Sequence, residues 1–551
     1  LARLGLGRSL YHSGRFSEAA PLLEQSLTEL REEAGHDEVL FMAGDTRLKD
    51  GDNQAAVAHF RELETLYPES AWTARSSEVT GDLLLGQGRI QEAIASYRRF
   101  EESSIDADRG HARLKLAGAL AEAGMWRESY ELAQLAAADT LIDDPSRLRA
   151  LMLWGGSARS LGETGGLLAA YRAIWETAPG APEAAEIAPS YGNLLSERGE
   201  LSTAEEIWSF IAVNSPSDSL RIRAEAELVY LAYAGNRVHT AQSRRDMFEQ
   251  TYRRRRDVLE RYRPMFWAVE GQVWLQRQEW DQAESAFEEI VDKAPESKYM
   301  PIALYGLGEV AARREKREEA RSFLEELVRR YPDDQQADRA RSQLANLAFV
   351  EADYETALMY YRAVAASEDP VLADAAQYNL VQTLERMREY ESAQQEALTY
   401  LERFPDSESI FEIKMQLGRL YREGGQLGRA ARWYRSMRAP DGEREARLRF
   451  QLAETLFTMG EYQEAVLEYL KIAYLNEDQF LFAVTARLRA ADSYAYLGER
   501  DQAIELYRGI ISRYGADSDY GRTAQAHLDN VMAGRSPGAL PPPPPRGHGP
   551  G

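Results

Sequence analysis

Fourteen times along the chain, a short polar turn is followed by an anchor residue, nearly always alanine, and commonly by a bulky side chain four positions later. The anchors are Ala19, Ala56, Ala93, Ser129, Leu167, Ala204, Ala241, Ala283, Ala320, Ala357, Ala393, Ala430, Ala465 and Ala503. Successive anchors lie 35 to 38 residues apart, except for a step of 42 between Ala241 and Ala283. A period this regular marks a repeat array, in which each repeat buries its apolar face only against its neighbours.

Residues 301–332 show what one repeat is. Leu304, Leu307 and Ala311 recur at spacings of three and four, so they share one face of a helix. Ala320, Leu324 and Leu327 do the same after Glu315-Lys316-Arg317, a segment too polar for a core and too short for more than a turn. Pro332 closes the second helix, because the residue before a proline is driven out of the helical region. The repeat is therefore an antiparallel helix pair, and Gly308 and Ala320 are the small residues expected to let its backbones approach. The landmarks recur. Phe60, Tyr97, Tyr171, Trp208, Phe287, Tyr361, Tyr434, Tyr469 and Tyr507 stand four after their anchors. Pro68, Pro216, Pro295, Pro332 and Pro405 stand twelve after. Gly7, Gly44, Gly81, Gly155, Gly192, Gly271, Gly308 and Gly418 stand twelve before.

Leu417-Gly418-Arg419-Leu420-Tyr421 carries Leu-Gly-x-x-Tyr whole. With the anchor alanines, the aromatics at +4 and the closing prolines, it makes residues 1–533 resemble the tetratricopeptide repeat family. The period exceeds that family's ~34 residues by two or three. The extra residues follow the proline, as in Pro295-Glu296-Ser297-Lys298-Tyr299. Tyr67-Pro68-Glu69-Ser70, Tyr331-Pro332-Asp333-Asp334 and Phe404-Pro405-Asp406-Ser407 repeat the junction. This variant resembles the repeats of bacterial envelope proteins, such as the lipoprotein of the outer-membrane barrel-assembly machine and the periplasmic division coordinator. The junction also has a plain structural use, since Asp, Glu and Ser there cap the next helix. The resemblance implies an all-α, right-handed superhelical solenoid of about fourteen helix-turn-helix repeats. Its first helices would line a concave groove that binds peptides or partner domains. It implies a non-catalytic scaffold or adaptor, periplasmic or envelope-associated rather than cytoplasmic. The alternative is a non-catalytic arm of a larger enzyme or sensor.

The formal charge of −23 argues against nucleic acid as a partner, because phosphates require a basic face. The absence of cysteine removes disulfides, thiolate zinc sites and cysteine nucleophiles. None of the seven histidines shares a helix turn with another, and no nucleophile elbow, phosphate loop or dinucleotide fingerprint occurs. No catalytic residue, cofactor or metal site is expected. No apolar run approaches the ~18 residues that cross a bilayer. Leu1 falls inside the first helix, with Gly7 already in step, so a targeting segment or further domain before it remains open.

The repeats are not uniform. Ser129 and Leu167 replace the small anchor, and Gly162-Glu163-Thr164-Gly165-Gly166 weakens helix formation, so residues 139–166 are either a divergent packed pair or a joint. At the long step, the second helix is expected to run on through Phe248, Tyr252 and Tyr262 to Arg263-Pro264, with a possible joint over residues 238–264. It would carry Arg253, Arg254, Arg255 and Arg256, either as a solvated face or as a docking patch for an acidic segment or phosphate. Residues 523–532 read as a lone capping helix, and residues 534–551, with Pro541 to Pro545 in a row, as a disordered tail.

The family's clamp for a C-terminal carboxylate uses two asparagines on successive first helices, with lysine and arginine for the carboxylate. Asn346 lies 11 before Ala357 and Asn379 lies 14 before Ala393, where those asparagines would fall. The cationic positions hold Ser342, Glu412 and Gln416, so the clamp is not expected. Asn346 and Asn379 remain either candidates for gripping the backbone of an internal peptide or chance residues on a polar groove.

Overall fold

A computed structural model describes residues 2–29, 35–475 and 480–537. Its regular structure is helical throughout, with 29 helices among the described residues. They form fourteen pairs, one around each anchor, followed by a single helix, Asp519–Met532. The chain divides into two compact halves, residues 1–262 and 263–551. The proline run of the tail lies outside the described residues.

Thirteen anchors have no exposed surface, whereas Leu167 is only half-buried. The residue twelve before the anchor is what accommodates the bulky side chain four after it. A Cβ added to Gly44 would stand 2.5 Å from Phe60 Cε1, and one added to Gly192 would stand 2.8 Å from Trp208 Cε2. At Gly308 the neighbour is Leu324, 2.8 Å from such a Cβ, with the Ala320 carbonyl further off at 3.6 Å. Gly308 thus makes room for a side chain first and for the facing backbone second. Repeats without this glycine keep the volume balance: Ala345 stands opposite Tyr361 in the scheme, and Val381 opposite the small Ala397.

The turn inside every repeat has one conformation. The residue five before the anchor has positive φ in all fourteen cases, nine of them glycine. Asn236, Gln278, Glu315, Ala352 and Arg388 are the others, in five consecutive repeats. In the Ala93 repeat, Gly88 N–H donates to Leu85 O and Arg89 N–H to Leu84 O, both at 2.9 Å, which is the Schellman closure of a helix C-terminus. Within each half, helices adjacent in sequence pack together. Several first helices also touch the first helix of the next repeat, as Met300–Arg313 touches Gln335–Val350 and the latter touches Pro370–Arg386.

Two expectations need correction. The second helix at the long step stops at Thr251, because Tyr252 leaves helical geometry and the rings of Phe248, Tyr252 and Tyr262 close on one another across a turn. The extra residues instead lengthen the next first helix, Arg256–Gln276, which passes through Pro264. A proline removes its own N–H from the ladder and crowds the carbonyl four residues before it, here that of Glu260, and a helix with turns on both sides carries that cost. The arginine run is therefore a turn leading into a helix start, not a helix face. The capping helix also starts earlier than residue 523: Ser518 Oγ accepts from Gly521 N–H at 2.9 Å and starts it at Asp519.

Elsewhere the glycine-rich stretch at residues 162–166 forms the usual turn and the start of helix Thr164–Thr177. Gly166 lies against Tyr130. Junction capping is real at Ser70 and Asp334, which accept from Trp72 N–H (3.2 Å) and Gln336 N–H (2.8 Å). At Ser407 it is not: that hydroxyl accepts from Ser409 N–H (3.1 Å), a turn before the helix, and leaves Asp406 free of capping duty.

Candidate functional site

The two asparagines lie on neighbouring first helices, Gln335–Val350 and Pro370–Arg386, in different surroundings. Asn346 is exposed, and its Oδ1 accepts from the Tyr361 hydroxyl at 2.7 Å. The same pair recurs wherever a repeat combines a tyrosine at +4 with an acceptor at −11. Tyr97 donates to Asp82 (2.7 Å), Tyr469 to Glu454 (2.5 Å) and Tyr507 to Asp492 (2.7 Å). Burial explains the need for an acceptor. It pushes the Tyr361 hydroxyl up to about 12, and at Tyr97, Tyr469 and Tyr507 a facing carboxylate raises the phenol further. Asn346 is thus the neutral version of a recurrent structural acceptor, and only its amide hydrogens face outward for a ligand.

Asn379 is half-buried and lines a solvent-open groove of about 680 Å³ between the start of helix Pro370–Arg386 and the 403–409 turn. Its own carbonyl accepts from Thr383 Oγ1 at 2.7 Å, while its side-chain amide has no partner among the described residues. The positions where a carboxylate clamp would place cations are otherwise engaged. Glu412 holds Arg447 through two bonds of 3.0 and 2.9 Å. Gln416 donates to Glu385 Oε2 at 2.7 Å, and the same carboxylate takes Arg419 on both oxygens.

The arginine run splits by role. Arg255 reaches back to Asp218 at 2.9 Å and to Asp257 at 3.3 Å. Arg253, Arg254 and Arg256 are exposed and form no ion pair among the described residues. Sequence reasoning missed the acids of the 403–409 turn. Asp406 and Glu408 border the groove, and the signal was present in the post-proline junction, where they read as helix caps.

Among the described residues no group of three histidine or acidic side chains could hold a metal, and no helix is long and apolar enough to cross a membrane. His527 pairs with Asp492 at 2.8 Å, but both are buried, at 3 % and 0 % exposure, inside the contact of the capping helix.

An array of paired helices, all but one of the repeats carrying a buried small anchor and every one a left-handed turn, defines an interaction scaffold. The chain belongs to the tetratricopeptide repeat family, whose models match residues 4–71, 79–128, 269–335, 378–443, 446–479 and 485–516, more than half of its length. Among solved structures it is similar to the Naa15/Naa10 complex bound to HypK-THB, at 13% identity and a TM-score of 0.35, covering 91% of this chain and 78% of that one. It is similar to a tetratricopeptide repeat protein from Parabacteroides merdae at 16% identity and a TM-score of 0.27, covering 50% of this chain and 98% of that one. A putative kinesin light chain from Podosopora anserina, with nearly identical TPR-like repeats, is similar at 19% identity and a TM-score of 0.26, covering 32% of this chain and 93% of that one. No curated protein matches the chain in sequence.

Proposed function

We propose that the protein is a non-catalytic adaptor that holds a peptide or a partner domain against the face formed by its first helices, in the bacterial cell envelope. The carrying observation is that Met300–Arg313, Gln335–Val350 and Pro370–Arg386, three successive first helices, touch one after another, with the groove at Asn379 open on the last of them. Asn379 offers a donor and an acceptor to a peptide group, and Asn346 offers donors. The exposed turn of Arg253, Arg254 and Arg256 is a second docking point, suited to an acidic segment or a phosphate. A non-catalytic role is supported by the burial of the His527–Asp492 pair, which leaves it no access to a substrate. The envelope assignment is supported by the post-proline junctions, and fractionation of the native cell tests it.

Cross-linked capture from that cell, followed by mass spectrometry of the cross-linked peptides, tests the adaptor role. Cross-links should concentrate on first helices. Asn346→Ala with Asn379→Ala should weaken the captured complex by about 1–3 kcal/mol; since Asn346→Ala also removes the acceptor of Tyr361, Asn379→Ala alone should weaken capture with no loss of stability. Retention of no protein, or cross-links confined to second helices, would refute the reading. Replacing Arg253, Arg254 and Arg256 with Gln should weaken capture of an acidic partner at low salt, and unchanged capture there removes the second docking point.

A further inference from the structure

The groove at Asn379 has a chemistry that selects among peptides. Its walls include the rings of Tyr378 and Phe404, and Val371 stands at its edge with 75% of its surface exposed. Three of its four charged side chains are acidic, Asp374, Asp406 and Glu408. Asp374 accepts from the Tyr400 hydroxyl, which fixes its position. Asp406 and Glu408, two positions apart in one turn, are exposed and have no ion-pair partner among the described residues. Neighbouring carboxylates such as Glu385 and Glu412 each hold an arginine. The one cation of the lining, Arg403, is turned to other work: it donates to Ala365 O at 2.9 Å and lies over the Phe404 ring at 5.0 Å. What remains is an apolar trough with a free amide and unneutralised negative charge on its border. These acids do not converge on one point, since no three of them could share a metal. Separated negative points along a trough match separated positive points along a chain, not a single ion.

We propose that this groove binds a cationic, extended segment of a partner protein. An aliphatic side chain lies against Tyr378 and Phe404, and a lysine or arginine beside it is held by Asp406 and Glu408. The segment's backbone meets the Asn379 amide. The inference rests on the adaptor reading and adds to it the partner's charge and conformation.

The test uses the full chain and a fluorescein-labelled peptide of four Lys-Leu-Pro units, whose prolines keep it extended, read by fluorescence anisotropy at low salt. The peptide should bind, and its glutamate counterpart, with Glu in place of Lys, should not. Asp406→Asn with Glu408→Gln should weaken binding at least tenfold; both side chains are exposed, so the fold is kept. Glu288→Gln with Glu325→Gln, an equal charge change on exposed helix surface away from the groove, should alter affinity less than twofold. Equal binding by the groove variant, equal weakening by the distant variant, or equal binding of the glutamate peptide would each overturn the proposal. If the lysine peptide fails to bind while cross-linked capture still finds a partner on the first helices, this inference falls and the adaptor reading stands.

Discussion

Alanine in place of glycine should have opposite effects at two sites in neighbouring repeats. Gly81 and Gly118 both lie inside first helices, Ala71–Gly86 and Asp106–Glu122. Removing a helical glycine gains about 0.8–1 kcal/mol of intrinsic propensity at either site. At Gly118 nothing lies within 4 Å of the added Cβ, so the gain stands, and Gly118→Ala should stabilise its repeat by about 0.5–1 kcal/mol. At Gly81 the added Cβ would stand 2.6 Å from Tyr97 Cδ1 and 2.9 Å from its Cζ. Ordinary carbon contacts are about 3.5–4.0 Å, so the ring must withdraw by about 1 Å. Tyr97 is only 2% exposed, and its hydroxyl is tied to Asp82 at 2.7 Å, so withdrawal strains the core and stretches that bond. Overpacking at about 1–3 kcal/mol and a weakened hydrogen bond at about 0.5–1.5 kcal/mol outweigh the propensity gain, for a net loss of about 1–3 kcal/mol. Repeat arrays open locally, so native-state hydrogen exchange of the two repeats is the assay, not a single melting temperature. Stabilisation by Gly81→Ala, or destabilisation by Gly118→Ala, would refute the packing argument.

Ala352 holds a left-handed conformation that costs an L-residue about 1–2 kcal/mol, so Ala352→Gly should raise local stability by about 0.5–1 kcal/mol net of glycine's own entropy, read as slower exchange in that repeat. A double-mutant cycle on Tyr361→Phe and Asn346→Ala should give a coupling of about 0.5–1.5 kcal/mol, and zero coupling would deny Asn346 its structural role. Burial pushes the Glu78 carboxyl up, but His111 and Lys115, with the charges of Lys115 and Arg75, outweigh it and bring its pKa down to about 2. Its stabilisation is therefore present above the unfolded value of about 4.3 and lost as pH falls towards about 2, so Glu78→Gln should flatten the loss of hydrogen-exchange protection in its repeat over that window. Residues 139–166 and 238–264 should exchange amide hydrogens faster than residues 283–475, and equal protection would remove both joints.

The sequence alone determined the helix pair, its fourteen copies and the positions of its small and bulky residues, though not that the small residue at −12 makes room for the bulky side chain at +4. Those features rest on spacing, and spacing on a helix is enough to say which residues share a face. It also determined the lack of a cationic clamp, since charge type is visible at Ser342, Glu412 and Gln416 without coordinates. The tertiary structure decided where the long step puts its extra residues, because Phe248 and Tyr262 meet across a turn that no helical period encodes. It decided that Asn346 accepts from Tyr361, since −11 and +4 are joined only when two helices fold back on each other. It decided that Asp406 and Glu408 border a groove instead of capping a helix. A cap depends on local chain geometry, but a groove arises only where the turn meets the neighbouring first helix, and that meeting is a fact of packing.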